Sequence, residues 1–498
     1  MYICQMKNKK LLQSIILAVM CAAVCMGIAV MMMYPGHNWG GDFSQYIAQT
    51  RALVNGDIES WYEKNLFIIE HSSDGLGSSV YPWGLSLILA PFYAVFGENI
   101  RIFKFLIILF LTGTVAVSFL YFQRKMPNLP AVLLTLLIAL NPVYLISTDS
   151  VQSDIPCVFF SMLSVICVDL HLKSEQHHVR NALLTGVFIL MAVQMRTMSM
   201  ALLLALFCTD FILGMYWLIF IRREKDIWNM EGYYHARWCY HVLPYIVYGT
   251  GDFVIHLFLP KAGETYWDYF FISFQNIKNM IKNYSSGFEE MFGGFVWIFL
   301  ILGILGMIYA FRQEMFCVIY VLGTVATLLI YHYYQRSRFL FAIFPILLMF
   351  GYYGVRLLCS LIPKKAVYAA SLLCASLALG GYVRQLLMEE IPLRRGIDEP
   401  IEAYSTDAMS VYGYINDHLD DDSIIYFFKP RVLYLNTNVY SYTGNNDAST
   451  LKQAEYVLFW CNDFQDEIRK AVIDNENYQL IYQNNQFLLY ECLSGERE

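Results

Sequence analysis

The sequence predicts a polytopic α-helical membrane protein with a small extracytoplasmic α/β domain at its C-terminal end. Three observations predict it. Of the 498 residues 57% are hydrophobic and 15% charged, with a mean hydropathy of +0.44; soluble domains run at about 45–50% apolar and roughly 25% charged. Apolar stretches long enough to cross a hydrocarbon core about 30 Å thick recur between residues 11 and 384. Composition then changes: residues 386–498 carry 8 Lys and Arg against 20 Asp and Glu, so an acidic tail follows a weakly basic body. These features exclude a soluble cytoplasmic enzyme, a disordered chain and a secreted disulfide scaffold. The net charge of −7 argues against a nucleic-acid partner.

The elements follow in order. MKNKK precedes an apolar run over 11–33, which is too long for a signal-peptide core and is followed by no small-x-small cleavage site, so it reads as a retained first span. Lys7, Lys9 and Lys10 put its start in the cytoplasm by the positive-inside rule. Residues 34–100 form an outer loop, with a membrane-lying helix over 42–56 and an interfacial or re-entrant segment over 83–96 broken by Pro91. Ten more spans are expected near 101–122, 130–147, 156–170, 181–195, 199–221, 241–259, 292–311, 315–331, 339–359 and 366–384. Arg124 and Lys125, then Lys173 and Arg180, then Arg222, Arg223, Lys225 and Arg237, and finally Lys364 and Lys365 mark inner loops; an aromatic outer loop falls near 260–290. Eleven spans that begin inside end outside. No internal repeat is visible.

Residues 386–498 then form a domain distinct from the membrane domain over 1–385. Helical spacing covers 400–419 and DFQDEIRKAVIDN, while DSIIYFFKP, VLYLNT and AEYVLFW read as strands. YQLIYQNNQFLLYE is a hairpin pattern turning at Asn484 and Asn485. Twelve cysteines include no CxxC pair and no zinc spacing; Cys461 and Cys492, the two in the tail, are the candidate disulfide.

Ionisable groups beside membrane spans are energetically costly and tend to be functional. Here Asp42, Asp149, Asp154, Arg196, Arg336 and Arg338 all fall close to the expected outer surface. Carboxylates and guanidiniums together suit a site that binds an anion and moves a proton. Each has a plainer alternative. Asp42 and Asp154 suit helix caps, and Asp149 a solvated loop. Arg196 suits an interfacial side chain with its head in water. One of Arg336 and Arg338, with Arg338 favoured, is a phosphate contact and the other an interfacial anchor. Lys104 and Arg101 read as lipid-headgroup contacts. His37 and His71 lie in the first loop, but one histidine with two distant aspartates is a thin metal-ligand set.

Four segments carry a resemblance: GGDFSQY, SSVYPWGLSLILAPFYAVFG, STDSVQSDIPCVFF and YYQRSRFLFAIFP, followed by SIIYFFKPRVLYLNT at the start of the tail domain. Their order and shared side resemble the GT-C membrane glycosyltransferases, the class that includes protein O-mannosyltransferases and aminoarabinose transferases of lipid A. The layout is similar to the bacterial mannosyltransferase-like branch, which implies a bacterial plasma membrane. The resemblance covers most of the chain; it departs at Trp83, where the class more often has Pro or a small residue. It implies transfer of a hexose or pentose, with inversion, from a polyprenyl-phosphate donor to a hydroxyl acceptor at the outer face. The acceptor class stays open among lipid, protein and cell-wall glycan. Asp42 would be the general base and Asp154 would support the acceptor or an ion. Arg196, Arg336, Arg338 and Tyr81 would contact the lipid phosphate or the acceptor. No organic cofactor is implied, and a divalent metal ion is the one candidate. There is no Gly-rich nucleotide loop to suggest a soluble nucleotide-sugar donor. The rival reading is a transporter or flippase of lipid-linked saccharides.

Overall fold

In the computed structural model, residues 2–73, 76–173, 177–219, 238–261, 273–331, 334–462, 466–473 and 475–493 are described. Helix α1 (Tyr2–Met32) leads through a two-residue strand β1 (Gly36–His37) into α2 (Gly41–Asn55), α3 (Ile58–His71) and α4 (Gly84–Phe96). The bundle continues with α5 (Ile100–Lys125), α6 (Asn128–Ala139), α7 (Pro142–Ser147), α8 (Asp154–Lys173), α9 (His178–Met195), α10 (Met200–Ile219) and α11 (Trp238–Phe258). Then come α12 (Phe274–Phe292), α13 (Val296–Ala310), α14 (Met315–Ile330), α15 (Phe344–Leu361), α16 (Lys364–Gln385) and the short α17 (Ile391–Arg394).

Eight described helical stretches are long and apolar enough to cross a membrane, from Leu11–Met32 through Lys364–Arg394, and α4, α6 and α14 are shorter apolar helices. The eight fall on expected spans one, two, four, five, six, eight, ten and eleven. The other three expected spans differ. The third breaks into α6 and α7 because Asn141 stops the helix: its side chain accepts from the N–H groups of Val143 and Tyr144, and Pro142 opens the next turn. The seventh is α11, which carries His241, Pro244, Asp252 and His256 and is not among the eight. The ninth, α14, has 16 residues. The inner-loop markers Arg222, Arg223, Lys225 and Arg237, residues 262–272 of the expected aromatic loop, and residues 463–465 and 474 of the last expected helix lie outside the described residues.

The C-terminal region adds β2 (Ile401–Glu402), α18 (Thr406–His418), β3 (Ile424–Tyr426), α19 (Pro430–Thr437), β4 (Tyr440–Tyr442), β5 (Tyr456–Trp460), α20 (Asp466–Ile473), β6 (Tyr478–Gln483) and β7 (Phe487–Cys492). Five strands form one sheet in the order β4-β3-β5-β7-β6, parallel through β4, β3 and β5 and antiparallel through β7 and β6. The segment VLYLNT is helical, not a strand. Pro430 sits at the first position of α19, and Val432, Leu433, Tyr434 and Leu435 are all buried, so their apolar run serves a helix packed on every side. Cys461 and Cys492 are both free thiols. They belong to opposite ends of the β5/β7 pair, where Cys461 meets Gln486 and Cys492 meets Glu455. About 20 Å of strand separates them, well beyond the roughly 7 Å that a disulfide allows between Cα atoms.

This region is joined to the bundle rather than hung from it. β2 pairs in parallel with β1, Gly36 opposite Ile401 and His37 opposite Glu402. Gly36 has φ +82°, and a Cβ there would lie 2.6 Å from the Ile401 nitrogen, so only glycine lets the strands meet. Arg51 Nη1 donates to Leu435 O at 2.6 Å, Lys64 Nζ to Asn438 O at 2.6 Å, and Tyr404 OH to Glu98 Oε1 at 2.8 Å.

Ion pairs tie the helices at two levels. Near the start of α5, the buried Lys104 Nζ lies 2.8 Å from Asp149 Oδ1 and donates to Tyr34 O at 3.1 Å. Near the ends of α5 and α8, Lys125 Nζ is 2.8 Å from both Asp169 Oδ1 and Glu314 Oε1. Lys173 Nζ is 2.6 Å from Asp169, and Tyr353 OH donates to Glu314 at 3.3 Å. Lys104 and Asp149 are thus corrected from headgroup contact and solvated loop residue to a buried pair. The sequence does not show that a partner 45 residues away compensates the desolvation of each.

Candidate active site

Four segments far apart in the chain bring four charged side chains together. Gly40 and Gly41 turn the chain from β1 into α2, whose first turn carries Asp42. Asp154 is the first residue of α8. Arg196 ends α9 in extended backbone, φ −149° and ψ 129°. Arg338 lies in the 3-10 segment Arg336–Ile343 before α15. Gly84 at the start of α4 lets this corner close, since a Cβ there would lie 2.6 Å from Gln194 O, two residues before Arg196.

Arg338 is the hub. Its Nη2 donates to Asp42 Oδ2 at 2.6 Å and to Asp154 Oδ2 at 2.7 Å, and its Nε donates to Asp154 Oδ2 at 3.0 Å. Arg196 Nη1 pairs with the other Asp154 oxygen, and the Arg196 guanidinium rests over the Phe339 ring, 4.8 Å from its centroid. Tyr81 OH donates to Asp42 Oδ1 at 3.0 Å. Tyr46 OH and Ser153 Oγ are 2.7 Å apart and buried, fixing the turn before Asp154 against α2.

Neither Asp42 oxygen caps α2, because one goes to Tyr81 and the other to Arg338. Asp154 has both oxygens committed to guanidiniums and is 2% exposed, whereas the Asp42 side chain is 27% exposed and the Arg338 side chain 25%. Asp42 is therefore the carboxylate that a ligand can reach, and Asp154 holds the arginines in place. Burial alone would raise the Asp42 pKa, but the Arg338 and Arg196 charges, with the bonds from Arg338 and Tyr81, hold it below the ordinary carboxylate value. Burial, and then the Asp42 charge, pushes the Tyr81 phenol above its usual range, so it stays a donor. Arg336 is exposed and lies outside the cluster, although its backbone, at φ +54°, belongs to the turn that delivers Arg338.

His37 ties the two acidic loops together. Its Nδ1 faces Asn38 O at 2.9 Å and its Nε2 accepts from Val151 N–H at 3.1 Å, with the ring stacked on Phe43 at 3.8 Å. A neutral ring with the proton on Nδ1 satisfies both bonds, and burial pushes its pKa down to about 3. His71 is stacked on Phe67 with Nδ1 at 3.0 Å from Phe67 O. Among the described residues no group of three His, Cys, Asp or Glu side chains is placed to hold a metal ion. With His37 committed on both nitrogens and Asp154 committed to arginine, this corner does not fit a divalent metal.

Two residues here were not singled out from the sequence, although both fall in SIIYFFKPRVLYLNT, because a charge in the polar C-terminal region draws little notice. Arg431, 4% exposed, donates from Nη1 to Tyr81 OH at 3.2 Å. Lys429 is half-buried beside the same corner; burial lowers its pKa against the opposing charges of Glu402 and Asp42. Their signal was their place in KPR, directly after a strand pattern.

No protein-family model matches the chain, and no curated protein matches it. Solved structures do. The ArnT structure from Cupriavidus metallidurans bound to undecaprenyl phosphate is similar over 96% of this chain and 97% of its own, with a TM-score of 0.58 and 12% identity. The apo oligosaccharyltransferase of Archaeoglobus fulgidus is similar over 90% of this chain and 69% of its own, with a TM-score of 0.51 and 10% identity. The arabinofuranosyltransferase AftD from mycobacteria is similar over 97% of this chain and 40% of its own, with a TM-score of 0.54 and 9% identity. Together with the multi-span bundle and its C-terminal sheet, these likenesses give the chain the fold of the GT-C membrane glycosyltransferases.

Proposed function

We propose that the protein is an integral membrane glycosyltransferase that moves a sugar from a polyprenyl-phosphate donor to a hydroxyl acceptor. The observation that carries this reading is the Asp42–Arg338–Asp154–Arg196 cluster, with its one accessible carboxylate directly beside a guanidinium. The similar ArnT structure is bound to undecaprenyl phosphate, and a second structure of the Archaeoglobus fulgidus oligosaccharyltransferase, similar over 89% of this chain with a TM-score of 0.50 and 11% identity, is in complex with a dolichol-phosphate, which supports a lipid-phosphate partner. Asp42 takes the proton from the acceptor hydroxyl as its oxygen bonds to the anomeric carbon. The bond from that carbon to the phosphate oxygen breaks on the opposite face, so configuration inverts. The electron pair leaves on the lipid phosphate, where Arg338 and Arg196 offer paired N–H donors.

The pairing of Arg338 with Asp42 also tunes the base. While Arg338 pairs with Asp42, the carboxylate is ionised but weakly basic. A phosphate that draws Arg338 toward itself relieves that pairing and raises Asp42's proton affinity, so base strength rises when donor is bound. We place the site at the outer face of a bacterial plasma membrane, with the N-terminus inside and residues 386–498 forming an extracytoplasmic domain. Lys7, Lys9 and Lys10 before the first span support that orientation.

The test is transfer from an undecaprenyl-phospho-sugar by Asp42→Asn protein in nanodiscs. The variant is expected to insert and fold normally and to lose transfer; wild-type turnover would remove Asp42 as base. Donor translocation without transfer by the wild-type protein in vesicles would replace the reading with a flippase.

A further inference from the structure

Arg431 sits in the C-terminal region, yet its guanidinium faces the loop that leads into α4. Nη1 donates to Leu76 O at 2.7 Å and to Tyr81 OH at 3.2 Å, and Nη2 donates to Ser78 O at 2.8 Å. Its carbon lies 5.3 Å from the Tyr81 ring centroid, so both ring face and hydroxyl are held. Pro430 starts α19 with its carbonyl accepting from Ser441 Oγ at 2.8 Å, which fixes the backbone that presents the guanidinium.

The direction of the relay is determined by the groups themselves. Arginine has donors only, so the Tyr81 oxygen accepts from Arg431. The phenol has a single proton, and that proton goes to Asp42 Oδ1. A donor that is itself accepting from a cation is a stronger donor, because successive hydrogen bonds polarise one another. One Asp42 oxygen is thereby occupied and oriented from the C-terminal side, and the other, Oδ2, faces Arg338.

We propose that Arg431 is a positioning residue for Asp42: acting through Tyr81, it fixes Oδ1 and leaves Oδ2 as the oxygen that takes the acceptor's proton. The C-terminal region is then part of the active site. This rests on the reading of Asp42 as base. Asp42 is also faced by Arg338, by Asp154 from α8, by Arg196 after α9, by His37 from β1, by Tyr46 from α2 itself, and by Lys429 from the C-terminal region with Glu402 behind it. A test must therefore change only the relay.

Full-length wild type, Tyr81→Phe, Arg431→Met, Arg431→Lys and the Tyr81→Phe/Arg431→Met double variant are compared across pH. Each disruptive single variant is expected to lower kcat by about tenfold to a hundredfold and to move the acid limb of its pH profile up by roughly half to one unit. Arg431→Lys should recover part of the loss, and the double variant should be no worse than Tyr81→Phe alone. An Arg431→Met loss of equal size in the Tyr81→Phe background, or an unmoved acid limb, would overturn the proposal and leave Arg431 as a loop anchor. A second readout needs no substrate: the Asp42 carboxyl band, isolated as the infrared difference between each protein and its Asp42→Asn counterpart, is titrated directly. Its midpoint should rise in Tyr81→Phe and in Arg431→Met; a midpoint unmoved in Tyr81→Phe overturns the relay. Should the wild-type protein transfer no sugar, the functional reading fails alone, and the infrared titration still decides the relay.

Discussion

Helix α8 carries an ionic cluster at each end, and the two are built from the same kinds of group. At its start Asp154 joins Asp42, Arg338 and Arg196. Fifteen residues later, about 22 Å along the helix, Asp169 joins Glu314, Lys125 and Lys173. Each set pairs two carboxylates with cations, two in the first and three in the second, where the exposed Arg124 also brings its Nη2 to 3.7 Å from Asp169 Oδ2. They differ in which charge is accessible. In the second cluster both carboxylates are buried, Glu314 at 4% exposure, and Tyr353 closes over it. In the first, Asp42 stays open, and both cations are planar guanidiniums suited to a tetrahedral anion, whereas the close cations of the second are the ammonium points of Lys125 and Lys173. The second cluster is a clasp between helix ends. The first is a clasp with an exposed carboxylate, which is the opening our proposal gives to substrate.

The largest expected effect separates the two most cleanly. Asp42→Asn should lower kcat by about 10²- to 10⁴-fold while leaving the unfolding midpoint in detergent unchanged; a loss of stability with intact turnover would make the first cluster another structural clasp. Next, Glu314→Gln should do the reverse. Removing one partner of a buried pair costs about 3 kcal/mol, so unfolding should come earlier while turnover per folded molecule holds. Loss of turnover without loss of stability would contradict the division.

A third expectation concerns pH. His37 is neutral when folded down to about 3 because it is buried, whereas an unfolded histidine protonates near pH 6.5. Between those values the unfolded chain binds more protons, so stability falls as pH falls from about 6.5. His37→Gln should flatten that slope, by up to about 1.4 kcal/mol per pH unit; an unchanged slope in urea or SDS titrations would mean that another group sets it. Smallest of all, Arg336→Ala should change turnover less than twofold and stability by under about 0.5 kcal/mol, although it lies two residues from the hub. A hundredfold loss would bring Arg336 back into the site.

What the sequence showed, and what it hid, follows from the medium around each residue. Asp42, Asp154, Arg196 and Arg338 stood out because a charge next to an apolar helix needs a reason, and the structure brings all four together. Lys104 and Asp149 stood out equally but were misjudged, since burial and pairing are three-dimensional facts. Arg431 did not stand out, because one arginine in an acidic, polar tail is unremarkable; only the fold aims it at Tyr81. The break at Asn141-Pro142 was written in the chain but lay inside an apolar run long enough to look like a span. VLYLNT looked like a strand because a helix buried on all sides shows no 3.6-residue alternation.

The most direct measurement is a structure of the full-length protein with undecaprenyl phosphate bound. The phosphate is expected within hydrogen-bond distance of Arg338 and Arg196, with the Arg338–Asp42 contact lengthened and Tyr81 still on Asp42. A phosphate held instead at Lys125 and Lys173, or one that leaves the four-residue cluster untouched, would contradict the account.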